Sequence, residues 1–442
     1  MDPDLAPRSR CGAPGLTEGR PSATAPHPSK GHRGPVHLHE QPPALGTSSP
    51  RSGRTYGRYQ VELLSRGDVG AVLPEWRGLH RRLGGWSPFT DPDYQMVWCD
   101  RFVDDGDERI LAVRHADTRE LVAVVPLFLA TVGGRGMRGR VLALFGAFRE
   151  PLLLELPELL VQPEHARAAL VTVVAWLAEH REWDWVELTL GEEQPWPVSR
   201  WLADAGLDPA ILVHKSVLPS VVLDLPDTGD LPPLGRNLRE SLRRSRNRTK
   251  GPAGEWRVDE VGPEHPCWDE AVADLRRLHR ARAGMTGVIA HPDVFRGTSQ
   301  GEFLAALAGT PAATLPRVHR LLRDDVAVAA LLVFHSVTRT WLSVSGVSPD
   351  AWHVGGVTRL QWEAVQDAVR RRQTSVVFST GVDAAKQRWS PTVRVSHSFA
   401  VVNPRRGSRL TFTLYWLARS LRHLRRHTVH HPHRERAEPA TP

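Results

Sequence analysis

The chain has 442 residues, with 57 Lys or Arg against 49 Asp or Glu, a net charge of +8, 41% hydrophobic and 24% charged residues. That is ordinary for a soluble globular protein and long enough for two domains with sizeable cores. The positive balance points to nucleic acid, anionic lipid or a phosphorylated ligand, but only Lys30, Lys215, Lys250 and Lys386 are lysines. Arginine enrichment of this kind follows from the codon usage of a GC-rich genome, and we weight that source over nucleic-acid binding. Cys11, Cys99 and Cys267 lie too far apart for a disulfide framework or a zinc spacing, so a reducing cytoplasm is expected and no metal site is expected. No apolar run reaches the roughly 20 residues of a membrane-spanning helix. The N-terminal arginines have no apolar segment behind them, so a signal peptide is not expected.

In chain order, residues 1–56 are rich in Pro, Gly, Ser, Arg and His without apolar periodicity, which predicts a disordered tail. Trp76, Leu79 and Leu83 suit one helix face, and Tyr94, Val97, Trp98 and Phe102 another. Strands are predicted at Arg109–Arg114, Leu121–Thr131 and Arg140–Phe145, with a short apolar run at Pro151–Leu154. A helix over Pro163–His180, a strand at Trp185–Leu190, a short helix at Val198–Ala205 and a strand at Ile211–Leu225 follow. A Pro/Gly/Asp-rich linker near Asp224–Leu234 marks a boundary. Beyond it come an arginine-rich helix at Leu234–Thr249, helices at Trp268–Ala283 and Phe303–Ala308, and strands at Val318–Arg323, Val326–His335 and Thr340–Gly346. The segment Gly356–Arg372 carries Val357, Leu360, Ala364, Val365, Ala368 and Val369 with a 3.6-residue period. Strands at Ser375–Phe378 and Val393–Val402 close this half, so each half has the same order and ends on its own final strand. The predicted organisation is a tail at 1–56, lobes at 57–228 and 232–404, and a basic helix with tail at 405–442.

The densest chemistry lies between Trp341 and Trp389. A strand, the turn Gly355-Gly356 and a helix in that order build a phosphate cradle, because amides at a helix start point outward and the helix dipole adds positive charge there. The same pair also reads as an ordinary tight turn. The cluster Gly381-Val-Asp-Ala-Ala-Lys-Gln-Arg-Trp389 follows, with carboxylate, ammonium, guanidinium and indole close together. In an arginine-biased chain, Lys386 suggests that the compact amine matters.

These segments, with Leu121-Val-Ala-Val-Val-Pro-Leu127, Arg236–Arg248 and Gly346-Val-Ser-Pro-Asp350, resemble the cellulose-biosynthesis-type acyltransferases of the GNAT superfamily, which are related in fold to Fem-type peptidyltransferases. Gly355 stands where that family usually has proline, Asp383 replaces Glu, and Ala385 replaces Tyr, which puts an acid role at Ala385 in doubt. The resemblance implies an α/β fold: two GNAT-like mixed α/β lobes with central, mainly antiparallel sheets, a disordered N-terminal tail and a basic C-terminal helix. It implies acetyl-CoA or another acyl-CoA as co-substrate, its diphosphate on Gly355, Gly356, Val357 and Thr358, and its pantetheine between splayed strands. The first lobe would shape the acceptor site.

Within that frame Lys386 is a candidate for stabilising negative charge, and otherwise a surface lysine paired with Asp383. Asp383 is a candidate general base, or the group that orients Lys386. Arg388, Trp389 and His335 are candidates for holding substrate, although Trp389 also reads as core and His335 as a structural strand histidine. In the basic helix, Arg236, Arg239, Arg243 and Arg246 share a row. That row suits phosphate or tRNA, or solvent alone. Leu414, Leu417, Leu421 and Leu424 among arginines suit anionic lipid or docking on the chain's own domain. His427, His430, His431 and His433 read as tail rather than ligands. The expected function is acyl-CoA-dependent N-acyl transfer, most simply acetyl transfer to an amine of a small molecule or envelope precursor, in the cytoplasm or at the inner face of the membrane. The alternatives are Fem-like aminoacyl transfer from tRNA and a non-catalytic GNAT-fold binding protein in envelope polysaccharide assembly.

Overall fold

A computed structural model describes residues 54–429 apart from 85–86, 135–136, 148–154, 157–158, 191–197, 209–210, 251–253, 287–292, 298, 309 and 311–315. The expectations for residues 1–53, for the run Pro151–Leu154 and for the histidines beyond Val429 fall outside these residues. The first half comprises β1 (Arg54–Tyr56), β2 (Tyr59–Leu64), α1 (Arg66–Arg82), α2 (Pro92–Phe102), β3 (Glu108–His115), β4 (Leu121–Gly134), β5 (Met137–Leu144), β6 (Leu160–Val161), α3 (Ala166–Glu179), β7 (Trp185–Leu190), α4 (Val198–Asp204) and β8 (Leu212–Asp224). The second comprises α5 (Arg236–Arg248), β9 (Trp256–Val261), α6 (Trp268–Ala283), α7 (Ser299–Ala306), β10 (Pro316–Arg323), β11 (Val326–His335), β12 (Arg339–Val347), α8 (Pro349–His353), α9 (Gly356–Arg370), β13 (Ser375–Thr380), α10 (Ala384–Gln387), β14 (Val393–Val402) and α11 (Arg406–Val429). Residues 54–56, assigned to the tail from sequence, are the edge strand β1, which pairs with β2.

Local chemistry explains the helix starts. Asp91 caps α2 by accepting from the amides of Asp93 and Tyr94, with Pro92 at the first helical position. Ser348 caps α8 in the same way, accepting from Ala351. In β4 the residues from Leu121 to Ala130 are all buried, because helices cover both faces of the sheet there.

The strands form one mainly antiparallel sheet in the order β1-β2-β3-β4-β5-β7-β14-β8-β13-β12-β11-β10-β9, with β6 paired to β4. The two parallel pairings, β5 with β7 and β12 with β13, are the helix crossovers of the two halves. One expectation is corrected here. The halves do not keep their own final strands: β8 of the first half pairs with β13 of the second, and β14 of the second pairs with β7 of the first. β8 and β14 also pair with each other along most of their length. The exchange satisfies the ladder edges of both halves at once and makes two predicted sheets one.

The halves also share a core. The indole of Trp98 packs on Phe128 and Phe145, while Tyr94 packs edge-on to Phe303 at 5.1 Å and Phe89 to Trp341 at 5.1 Å. Fully burying side chains of this size stabilises by about 1.5–3 kcal/mol each, so this aromatic seam fixes how the two halves meet. On the opposite face α3 and α4 cover the first half, and α5 and α9 cover the second.

Candidate functional site

The second half opens where β12 leaves β13. The two strands pair only at Arg339–Ser375, Thr340–Val376 and Trp341–Val377. Both then break register: β12 against β11 opposite Leu332, where Ser343 and Val344 fall, and β13 against β8 between Val377 and Thr380. Ser379 has φ of 52°, a left-handed conformation uncommon for a residue with a Cβ. Irregularities of this kind re-aim side chains and free backbone groups beside functional sites.

A carboxylate from the first half enters this gap. Glu155 accepts hydrogen bonds from Trp341 Nε1 (3.0 Å), Ser343 Oγ (2.5 Å), Ser379 Oγ (2.8 Å) and the Thr380 amide (3.3 Å). The gap thus holds a half-buried carboxylate at its closed end, tied to both strands. Sequence reasoning missed Glu155 because it sits in an apolar connection with no motif around it. A charged residue within Pro-Leu-Leu-Leu-Glu-Leu-Pro was the available signal.

At the open end is a cavity of about 350 Å³ at the N-terminus of α9. Gly355, Gly356, Val357 and Thr358 line it, and Gly355 has φ of 75°, which proline's ring cannot adopt. No side chain caps α9, so the amides of its first turn face the cavity without an intrahelical partner. Three guanidiniums line the same cavity: Arg244 and Arg248 from α5, and Arg388. Among the described residues no carboxylate lines it. Arg388 donates to Thr358 Oγ1 at 2.6 Å, and its buried Nε has no hydrogen-bond partner among the described residues. Burial pushes the Arg388 guanidinium below its ordinary value, against an upward pull from Asp383. The α5 arginine row expected from sequence faces outward, while the neighbouring row Ser241, Arg244, Ser245 and Arg248 faces the cavity.

The remaining predicted residues divide by location. Lys386 is half-buried and donates to Thr380 O (2.6 Å) and Gly381 O (3.2 Å), holding the end of β13. Burial lowers its pKa; Asp383 and Glu155 oppose that shift, and Arg282 adds to it. Asp383 is exposed and caps α10 by accepting from the Lys386 amide at 2.9 Å. Ala385 lines the cavity, where a larger side chain would fill it. Trp389 is 4% exposed, stacks on Phe378 at 5.3 Å and donates to Gln361, so it packs in the core of the second half. His335 is buried beside Asp367 near the other end of α9 and does not line the cavity. At Gly356 an added Cβ would stand 3.1 Å from Ala329 Cβ and 3.2 Å from Ala351 O. This glycine therefore lets α9 approach the sheet, and a substitution there tests packing before it tests anion binding.

Comparison with known proteins bears on the same region. Residues 236–387 match the family described as acetyltransferase (GNAT) domain. No curated protein sequence matches the chain. Among solved structures, the chain is similar to the C-terminal domain of a putative lysylphosphatidylglycerol synthetase from Agrobacterium fabrum, with 12% identity, 78% of this chain and 95% of that one covered, and a TM-score of 0.47. It is similar to a tandem GNAT protein from the clavulanic acid biosynthesis pathway (14%, 78% and 99%, 0.41) and to FemX (11%, 78% and 92%, 0.47). The matched segment runs from α5 through α10, so it spans the β12–β13 gap, Lys386 and every residue lining the cavity except Arg388, and over these residues the chain is similar to the acetyltransferase (GNAT) domain family.

Proposed function

We propose that the protein transfers an acyl group, most simply acetyl, from acyl-CoA to an amine. The observation that carries this reading is an anion-binding cavity at the start of α9, lined by Val347 at the end of β12, with the Glu155 carboxylate in the gap where the same strand leaves β13. The CoA diphosphate lies on the amides of Gly356, Val357 and Thr358 with Arg388, Arg244 and Arg248 around it. The pantetheine runs along β12, which advances about 13 Å from Ser343 to Val347 at roughly 3.3 Å per residue, and the thioester reaches the closed end of the gap. There the amine nitrogen attacks the thioester carbonyl, and the C–N bond forms as the C–S bond breaks. The amine proton passes to Glu155, and the departing CoA thiolate takes up a proton. Backbone amides freed by the break in β12 polarise the carbonyl. Lys386 positions the end of β13, and the first half supplies both Glu155 and the wall of the acceptor site.

Calorimetric titration of acetyl-CoA and longer acyl-CoAs into the purified chain tests the donor. Micromolar binding that Arg388→Ala weakens is expected; no binding by any acyl-CoA rules the reading out. A small molecule or an envelope precursor is the proposed acceptor class.

A second surface favours a location at a membrane. α11 docks through Phe412 and Tyr415 on Trp185 and leaves Leu410, Leu414, Leu417 and Leu421 exposed among arginines. Among the described residues no helix is long and apolar enough to cross a membrane. We propose that this helix lies on anionic lipid. Co-sedimentation with vesicles containing phosphatidylglycerol, lost on Leu414→Gln with Leu417→Gln, is the expected result; equal binding to neutral vesicles argues against it.

A further inference from the structure

Around the last turns of α9, roughly 17 Å along the helix from Gly356, four side chains from separate elements converge. Glu260 of β9 stands directly opposite His319 of β10, and His335 of β11 faces Asp367 of α9. One ligand atom each from Glu260, His319 and His335 lies within 4.8 Å of the others. His319 is 2% exposed and His335 9%, and the Nε2 of each is buried without a hydrogen-bond partner among the described residues.

The tautomer of His335 follows from its neighbours. Gln373 Nε2 donates to Ser336 O at 2.9 Å, so Gln373 Oε1 is the acceptor for the Thr340 hydroxyl. Thr340 Oγ1 in turn accepts from His335 Nδ1 at 3.0 Å. That network assigns the proton to Nδ1 and leaves a lone pair on Nε2. His335 Nε2 stands 3.5 Å from Asp367 Oδ2, and His319 Nε2 stands 3.8 Å from Glu260 Oε2. These separations are too long for hydrogen bonds. They approach the roughly 3.3 Å between two ligand atoms that share a tetrahedral zinc with bonds of about 2.0–2.1 Å. Arg371 Nε donates to Asp367 Oδ2 at 2.5 Å and Arg370 stands 3.3 Å from its Oδ1, so Asp367 is already charge-paired, while the buried Nε2 atoms of His319 and His335 keep no hydrogen-bond partner among the described residues. The outer contacts suit such a centre: Arg317 (3.3 Å) and Arg371 (3.5 Å) hold Glu260 Oε1 and leave Oε2 toward the histidines.

We propose that Glu260, His319 and His335 bind a divalent transition-metal ion, zinc foremost, with Asp367 as the adjacent carboxylate. Two imidazoles and a carboxylate are a borderline donor set that favours zinc over calcium or magnesium. The ion would clasp the end of α9 to β9, β10 and β11, a structural role separate from acyl transfer. It departs from the expectation that the chain holds no metal, because its ligands are brought together by strand pairing and not by sequence spacing.

The test uses the full chain with His427, His430, His431 and His433 replaced by Asn, treated with chelator and titrated with cobalt(II), then zinc. One equivalent of cobalt with the intense visible absorption of a tetrahedral site, displaced by zinc, is expected, along with a zinc-dependent rise in melting temperature. Glu260→Gln, at an exposed position, and His335→Gln should each weaken cobalt binding at least about tenfold. Circular dichroism of Glu260→Gln, compared with the unsubstituted chain, checks that the loss of cobalt is not a loss of fold. An absent cobalt band, or a band that neither substitution changes, would overturn the proposal.

Discussion

Glu155 and Trp341 meet across 186 positions of sequence, the indole Nε1 donating to the carboxylate at 3.0 Å. Through that contact a residue of the first half reaches the point where β12 and β13 separate in the second. Glu155→Gln should keep acyl-CoA affinity within about twofold while lowering kcat by roughly a hundredfold to a thousandfold, the usual scale for removing a general base. A variant that loses affinity and rate together would make Glu155 a strut between halves instead of a proton acceptor.

The two arginine rows of α5 give opposite expectations. Arg388→Ala and Arg244→Gln remove charged donors from the cavity, and each should weaken acyl-CoA binding by about 1.5–3 kcal/mol, roughly tenfold to a hundredfold. Arg239, Arg243 and Arg246 changed together to Gln should leave it within about twofold, because exposed charges contribute little. Calorimetry at two salt concentrations reads both. A salt-sensitive micromolar tRNA complex lost in the triple variant would instead promote aminoacyl transfer from tRNA.

Lys386 fixes two carbonyls at the end of β13. Lys386→Ala should therefore lower kcat more than it raises KM, through a displaced β13. Arg at this position should rescue poorly, since a planar fork does not replace a compact ammonium between Thr380 O and Gly381 O. Equal losses in kcat and affinity would assign Lys386 to binding.

His80 carries a pH dependence of stability. It is 2% exposed, and burial pushes its pKa below the ordinary 6.5 against a lesser upward pull from Asp91. The unfolded chain binds the proton more readily. His80's contribution is therefore complete above about pH 6.5 and is lost as pH falls toward the folded value, by up to about 1.4 kcal/mol per unit. Urea midpoints for the protein and for His80→Gln should converge as pH drops from about 8 to about 5. Parallel curves would show that His80 titrates alike in both states.

Much of the mixed α/β fold was legible in the residues because it is written in short periods. The 3.6-residue repeat of Val357, Leu360, Ala364 and Ala368 makes α9 amphipathic wherever it docks, and Gly355 marks the left-handed turn at its start. These are local energies, set by backbone sterics and neighbours within a turn or two. Periodicity says which face of an element is apolar, but it does not name the partner. It could not tell that β8 and β14 exchange halves, that Arg244 and Arg248 face the cavity while Arg239 and Arg246 do not, or that Glu155 reaches Ser343 and Ser379. Nor could it bring Glu260, His319, His335 and Asp367 to one point. Those relationships depend on strand register and on the aromatic seam between the halves, which are settled only when the whole chain packs.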